Sequence, residues 1–408
     1  KKILLFVIKS MNQVETYNSN NDNTGKSNSL LYFYTYVTIQ IIYVVVNSYL
    51  PIFFDDYLQV DRTLLAFTQI ISYSALFLEP MISVYFDRKL KLKIPIRLLL
   101  ILIGIGIIVS YILFLITIPL LLTSLMFVFG IFLGINLAFS SVIDVIIKKV
   151  LIKKSDSEER KNKNVLFLQT GTFVGAFIPP VLSLFLPWNI FFISTFLITI
   201  PLISILTFSG TPEYSEDKEK LSKKSFLSDY SIKNLGLVCI FAFLIYADQL
   251  YQYPLEPFIV DLVGKFIFNL LFMFFILINS IGTILAGFIS HKWDKKKILI
   301  YNTTTAGGLL ILIPIVPLPL FLIFYIILMI VGGFILVNLF SLMIDISKER
   351  ITIFQTIAVF ITLAKVIFVP LGTWLWAFIP AEGIIFIAGV LILLSIFPLL
   401  FIKTPPEV

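Results

Sequence analysis

The chain is poor in the residues that carry out chemistry in water. Its 408 residues include one cysteine and one histidine, and 13% are charged. A lone cysteine, Cys239, excludes an intramolecular disulfide; in its apolar run it reads as a small core residue. A lone histidine, His291 in a basic stretch, excludes a histidine-based metal site or a Ser-His-Asp triad. A Walker-type phosphate loop is missing, so ATP is not the direct driving force. Gly104-Ile105-Gly106 lies inside an apolar run and is no nucleotide fingerprint. No nucleophile–base set suits an intramembrane hydrolase. Neither an enzyme nor a bound cofactor or metal is expected. Soluble domains carry about 25% charge, so a water-soluble enzyme is excluded. The 15% aromatic content excludes a disordered chain.

What fills the chain is apolar: 59% of residues are hydrophobic and the mean hydropathy is +1.00. Runs such as Leu98–Val109 are continuous rather than alternating, which favours helices over a barrel. A helix needs about 20 apolar residues to cross a bilayer. Breaks at charged and turn residues give twelve candidate spans: 30–54, 63–86, 95–116, 119–147, 164–187, 189–209, 234–260, 266–290, 297–316, 318–346, 352–378 and 382–402. Minimal connections at Thr117-Ile118-Pro119, Pro187-Trp188-Asn189 and Pro317-Leu318-Pro319 make their flanking helices antiparallel neighbours. The fold expected is an all-α membrane protein.

Lysine and arginine in the loops set orientation. Basic clusters follow the even-numbered spans, at 88–97, 148–163, 218–233, 292–297 and 348–350. The loops on the other side carry only Arg62 and Lys265. Both termini and the basic loops are therefore expected in the cytoplasm, in a multi-pass protein of the cell membrane. The +7 net charge is then a matter of topology and contact with lipid headgroups, not of nucleic-acid binding. At the N-terminus the apolar run 3–8 is too short for a signal peptide. Met11 is expected to be the true start.

The two halves of the sequence repeat one another. Ser83–Lys91 after the second span and Gly287–Lys297 after the eighth both place an acid, then bases, at the membrane edge. Ser140-Ser141-Val142-Ile143-Asp144 ends span 4, and Ser341-Leu342-Met343-Ile344-Asp345 ends span 10. Pro180 and Pro370, and Leu50-Pro51-Ile52-Phe53 and Glu256-Pro257-Phe258-Ile259, recur in the same order. The organisation expected is a polar tail at 1–29, a six-helix half at 30–209, a charged linker at 210–233, a second half at 234–402 and a tail at 403–408.

This pattern resembles the major facilitator superfamily, whose two six-helix halves are related by an axis along the membrane normal. The family signature after the second span reads Gly-x-x-x-Asp-Arg-x-Gly-Arg-Arg/Lys. Here Asp87-Arg88 match it, Ser83 and Leu90 replace its glycines, and the second copy keeps Gly287 with Asp294-Lys295 further on. The resemblance implies a cytoplasmic gate in which Asp87 caps span 11 and Arg88 pairs with Asp144, repeated by Asp294, Lys295 and Asp345. The plain alternative is cations snorkelling at the headgroups. The stretches Ser341–Asp345 and Gln355–Leu371 also resemble the acetyl-CoA and muropeptide permease branch. Span 5 departs from the antiporter pattern, with Pro179 at the place of a glycine.

Two ionisable residues fall at mid-membrane: Asp248 in span 7 and Lys365 in span 11. Each costs about 2.5–3.5 kcal/mol on insertion scales, so each is expected to have a partner or face a cavity. Gln249, Gln252 and Glu256 extend a polar stripe from Asp248. The pair is either a static brace or a substrate- and proton-binding site. Asn136 and Asn338, on spans 4 and 10, read equally as ligands or as interhelical hydrogen bonds. Gln40, Asn47, Gln69, Gln169 and Asn279 read as packing, and Glu79 as a partner for a nearby base. Gly171 and Gly175, and Gly130 and Gly134, lie four apart and allow close helix approach.

These features point to a monomeric secondary transporter of a small organic solute, driven by protons, in contact with membrane lipids. The competing class is a non-transporting protein of the same fold, a sensor or lipid scramblase.

Overall fold

A computed structural model describes residues 23–78, 81, 96–118, 126–154, 158–208, 232–289, 294–347 and 351–402. All regular structure in them is helical. In chain order α1 is Asn23–Val44 with its continuation to Leu58, α2 Arg62–Ser74, α3 Ile96–Thr117, α4 Met126–Lys154, α5 Glu158–Phe185 and α6 Trp188–Phe208. Then come α7 Ile232–Ile245 with its continuation to Val263, α8 Lys265–Ile289, α9 Lys295–Leu312, α10 Leu318–Ser347, α11 Ile351–Leu375 and α12 Ala381–Leu394, resuming as Ile396–Phe401. Eight of these helices are long and apolar enough to cross a membrane, and Ile101–Thr117, Thr170–Phe185 and Trp188–Ile200 are shorter apolar segments. The second span starts at Arg62; most of its expected second part lies outside the described residues. So do Met11, Glu79, Asp87, Arg88, the linker and His291.

The helix ends follow from their sequence. Asp61 caps α2, its carboxylate accepting from the backbone N–H of Thr63 (2.8 Å) and Leu64 (3.1 Å). Two helices expected to stop at the membrane edge run on. α4 continues through Lys148, Lys149, Lys153 and Lys154, and α5 already begins at Glu158. Lys and Glu are good helix formers, and the basic loop is largely built from helix ends.

The first and seventh spans are not regular. α1 passes through π-helical turns at Val45–Tyr49 and Phe53–Leu58, on either side of Pro51. α7 tightens to a 3₁₀ segment at Tyr246–Leu250, bends at Tyr251 and resumes at Gln252. Proline supplies the cause. Pro254 and Pro257 have no N–H for the carbonyls four residues back, and their rings crowd that turn. The Leu250 carbonyl so released lies against Gly372 of α11, where any side chain would collide with it. Irregular turns of this kind gather at functional sites.

Glycine sets the other close approaches. A Cβ on Gly171 or Gly175 of α5 would strike the backbone carbonyl of Phe33 or Val37 on α1. Gly130 and Gly134 of α4 face Thr68 and Ser72 on α2 in the same way. The spacing of four puts each pair on one helix face. The first span ends up deeply enclosed, with 83% of its apolar window buried.

Candidate functional site

The irregular parts of α1 and α7 meet, and around them collects a buried polar cluster. α1 contributes Asn47, Ser48 and Tyr49, α2 contributes Gln69 and Tyr73, and the α7 region contributes Gln249 and Glu256; all are buried. Tyr73 donates to Asn47 Oδ1 at 2.5 Å. Tyr253 donates across to the Val46 carbonyl at 3.0 Å, so the first and seventh spans are tied directly. Tyr49 donates to Asn269 Oδ1 of α8 at 2.6 Å, and Asn269 Nδ2 donates to Ser183 Oγ of α5 at 3.3 Å. The bonds of Tyr253, Tyr49 and Asn269 cross between the first six helices and the last six.

Within this network several polar atoms have no hydrogen-bond partner among the described residues: Asp248 Oδ1, Gln252 Oε1, Glu256 Oε2, and both Oε1 and Nε2 of Gln69. Asp248, Gln252 and Glu256, read from the sequence as one stripe, each keep a buried oxygen of this kind, on either side of the bend in α7. Ser48 lies within hydrogen-bonding reach of the Glu256 carboxyl. Glu256 is an electrostatic neighbour of Tyr49, Tyr73, Tyr251, Tyr253 and Tyr325. Gln69 lies beside the Tyr253 hydroxyl. It reads as packing from sequence, because nothing in one chain of letters brings span 2 against span 7.

Asp248 and Lys365 are brought into electrostatic reach of one another. The 3₁₀ segment carrying Asp248 packs on α11, which carries Lys365. The ammonium also lies 5.8 Å from the ring centre of Tyr43 on α1 and 6.0 Å from that of Tyr246. Lys365 therefore stands where helices from both halves converge.

Other candidates are placed elsewhere. Asn136 Nδ2 donates to Ser110 Oγ (3.1 Å) and the Ile107 carbonyl (3.3 Å), joining α4 to α3. Asn338 Nδ2 donates to the Phe334 carbonyl one turn back at 2.8 Å, and its Oδ1 has no partner among the described residues. Asn279 Nδ2 donates to the Met329 carbonyl, joining α8 to α10. The side chain of Gln169 lies outside the described residues.

The sequence profile of the Major Facilitator Superfamily matches residues 148–350. Two solved structures share the fold over nearly the whole chain. One is a bacterial homologue of the human lysosomal transporter Spinster, inward-facing and unoccupied, with 12% identity, a TM-score of 0.66 and coverage of 95% of this chain and 100% of that one. The other is the xylose transporter XylE from E. coli, inward open, with 12% identity, a TM-score of 0.69 and coverage of 94% and 96%. The chain belongs to the major facilitator superfamily. It is a multi-pass membrane transporter rather than an enzyme, with a small molecule as its substrate. A search among curated proteins finds no match.

In a facilitator-superfamily transporter the substrate site lies near the membrane midplane, between the two repeats; the buried cluster here joins the first span to the seventh and eighth. Only part of the gate expected of the superfamily falls within the described residues. Asp144 Oδ1 accepts from the Tyr36 hydroxyl of α1 at 2.6 Å, while Arg88 lies outside them. Asp294 caps α9, accepting from the Lys296 N–H at 2.9 Å, and Lys295 is the first residue of that helix. Asp345 lies on α10, with its side chain outside the described residues. Lys296, unremarked in the sequence, donates to the Leu400 (2.8 Å) and Ile402 (2.7 Å) carbonyls and closes the end of α12.

Proposed function

We propose that the transporter moves a small organic solute by alternating access between its two six-helix halves, coupled to protons. Asp248 is the leading titratable group, Lys365 tunes it, and Gln69, Gln252 and Glu256 complete the binding surface. In this reading the protein works as a monomer in the cell membrane, with the basic loops and both termini in the cytoplasm. Arg88 with Asp144, and Asp87, Asp294, Lys295 and Asp345, serve the cytoplasmic gate.

The observation that carries this reading is the set of orphaned polar atoms on Gln69, Asp248, Gln252 and Glu256, buried where the halves meet. Leaving a buried polar atom without a partner costs about 1–3 kcal/mol each. A protein that only needed to hold its halves together would fill the place with apolar side chains. Acids and amides are worth their cost there if a solute supplies the missing partners. An acid within electrostatic reach of a cation also makes a group whose protonation responds to what occupies the site. The inward-facing state of both solved likenesses accords with the bonds that tie α1 to α7 and α8 here.

The test is flux in proteoliposomes holding the purified full chain, screened over a metabolite panel with and without an imposed pH gradient. Uptake of at least one solute above protein-free vesicles, driven uphill by the gradient, is the result expected. Passage of lipid between leaflets with no solute flux would favour the scramblase reading instead.

A further inference from the structure

The loops opposite the basic end carry two cations, Arg62 and Lys265, and they hold the same position in each repeat. Arg62 is the first residue of α2 and Lys265 the first of α8. Neither place favours a cation, because the positive end of the helix dipole lies there. Tertiary partners supply the reason. The Arg62 guanidinium carbon lies 3.7 Å from the ring centre of Trp376, and its Nη1 donates to the Trp376 carbonyl at 3.2 Å. The Lys265 ammonium lies 3.8 Å from the ring centre of Trp188.

Both contacts cross between the halves, in opposite directions. Arg62 belongs to the first half and Trp376 lies just past α11 in the second. Lys265 belongs to the second half and Trp188 opens α6, just past α5, in the first. In the twelve-span numbering, span 2 reaches the end of span 11, and span 8 reaches the end of span 5. The surroundings continue the symmetry. Asp55, at the end of the first span, bridges Arg62 at 2.7 Å within its own half. Asp56 is an electrostatic neighbour of Lys265, and Asp261, at the end of the seventh span, of Arg62. Trp188 is seated on Tyr49, Phe53 and Phe192, so the ring that Lys265 grips is itself held in the first half.

We propose that Arg62 on Trp376 and Lys265 on Trp188 form a two-part latch that holds this end of the transporter shut, and that opening toward this side requires both cations to leave their rings. Two equal catches placed about the repeat axis let the halves part by a symmetric rocking motion. Releasing one leaves the other as a pivot. The inference rests on the alternating-access reading, but its test needs no substrate, so the two can fail separately.

Spin labels at Asn189→Cys in the first half and Glu382→Cys in the second, in a Cys239→Ala background, report the width of this end in full-length protein in nanodiscs. The parent is expected to give one short distance. Cation–π pairs of this kind change an equilibrium about two- to thirty-fold. Arg62→Gln or Lys265→Gln alone should raise a longer-distance population by that factor, and the double variant by about the product. Trp376→Leu separates the ring from the ion pair, since it leaves Asp55 to Arg62 intact; it should act like Arg62→Gln, while Asp55→Asn should shift the distances less. Trp188→Leu should act like Lys265→Gln. If the double variant does not fold, the single ones decide the matter. Unchanged distance distributions in Lys265→Gln, Trp188→Leu and Trp376→Leu would overturn the latch.

Discussion

Asp248 and Asn136 are both buried polar residues on apolar helices, and their surroundings predict opposite consequences of removing them. Asn136 uses its amide to bind α3 through Ser110 and Ile107. Interhelical hydrogen bonds in membranes average about 0.6 kcal/mol. Asn136→Ala should therefore lower the thermal midpoint by a few degrees and leave the KM of transport unchanged; a raised KM would place it in the binding site. Asn136 and Asp248 each keep one oxygen without a partner among the described residues, but Asp248 lies within electrostatic reach of Lys365, which stands beside Tyr43 of the first span. Asp248→Asn should fold, lose uphill accumulation and retain exchange of solute across the vesicle membrane, because exchange needs no net proton movement. Accumulation at the parent level under a pH gradient would remove Asp248 from the coupling role.

At the scale of the helix, glycine and proline decide more than hydropathy does. Gly171→Ala should be costly, since the new methyl meets the Phe33 backbone; overpacking of this kind costs about 1–3 kcal/mol. Gly236→Ala, on α7 with open space around it, should leave stability unchanged or raise it by up to about 1 kcal/mol. Thermal unfolding of both variants in one detergent checks the contrast, and equal effects would refute the close α1–α5 contact. The G-x-x-x-G spacing was legible in the sequence because it needs only a helical period. The turns of the first and seventh spans were legible only in part. Pro51, Pro254 and Pro257 announce a disturbance, but whether a helix answers with a π turn, a 3₁₀ turn or a bend depends on what receives the freed carbonyl. For Leu250 that is Gly372, over a hundred residues away. Likewise, helical period could not show that α4 would carry its helix past the membrane edge to Lys154.

For the whole molecule, the repeat and the charge asymmetry carried the fold, because both are properties of sequence order. The partners across the halves were not legible in the same way. Gln69 beside Tyr253, Asp144 with Tyr36, and Arg62 over Trp376 each join segments whose contact exists only after the helices assemble. The orientation rests on the loops alone and has its own check. In a Cys239→Ala background, single cysteines at Ser155 and Ser222 should react with an impermeant reagent only from the cytoplasmic side, and one at Asp56 only from outside. Inverted labelling would refute the orientation. The central claim, that the buried charges do the work of transport, is tested most directly by the double variant Asp248→Asn with Lys365→Met. A brace loses little when both charges go together, since the heavy cost comes from leaving one buried charge alone. The account predicts that the double variant inserts and melts like the parent in proteoliposomes yet carries no solute up a pH gradient. Full gradient-driven flux from that variant would contradict it.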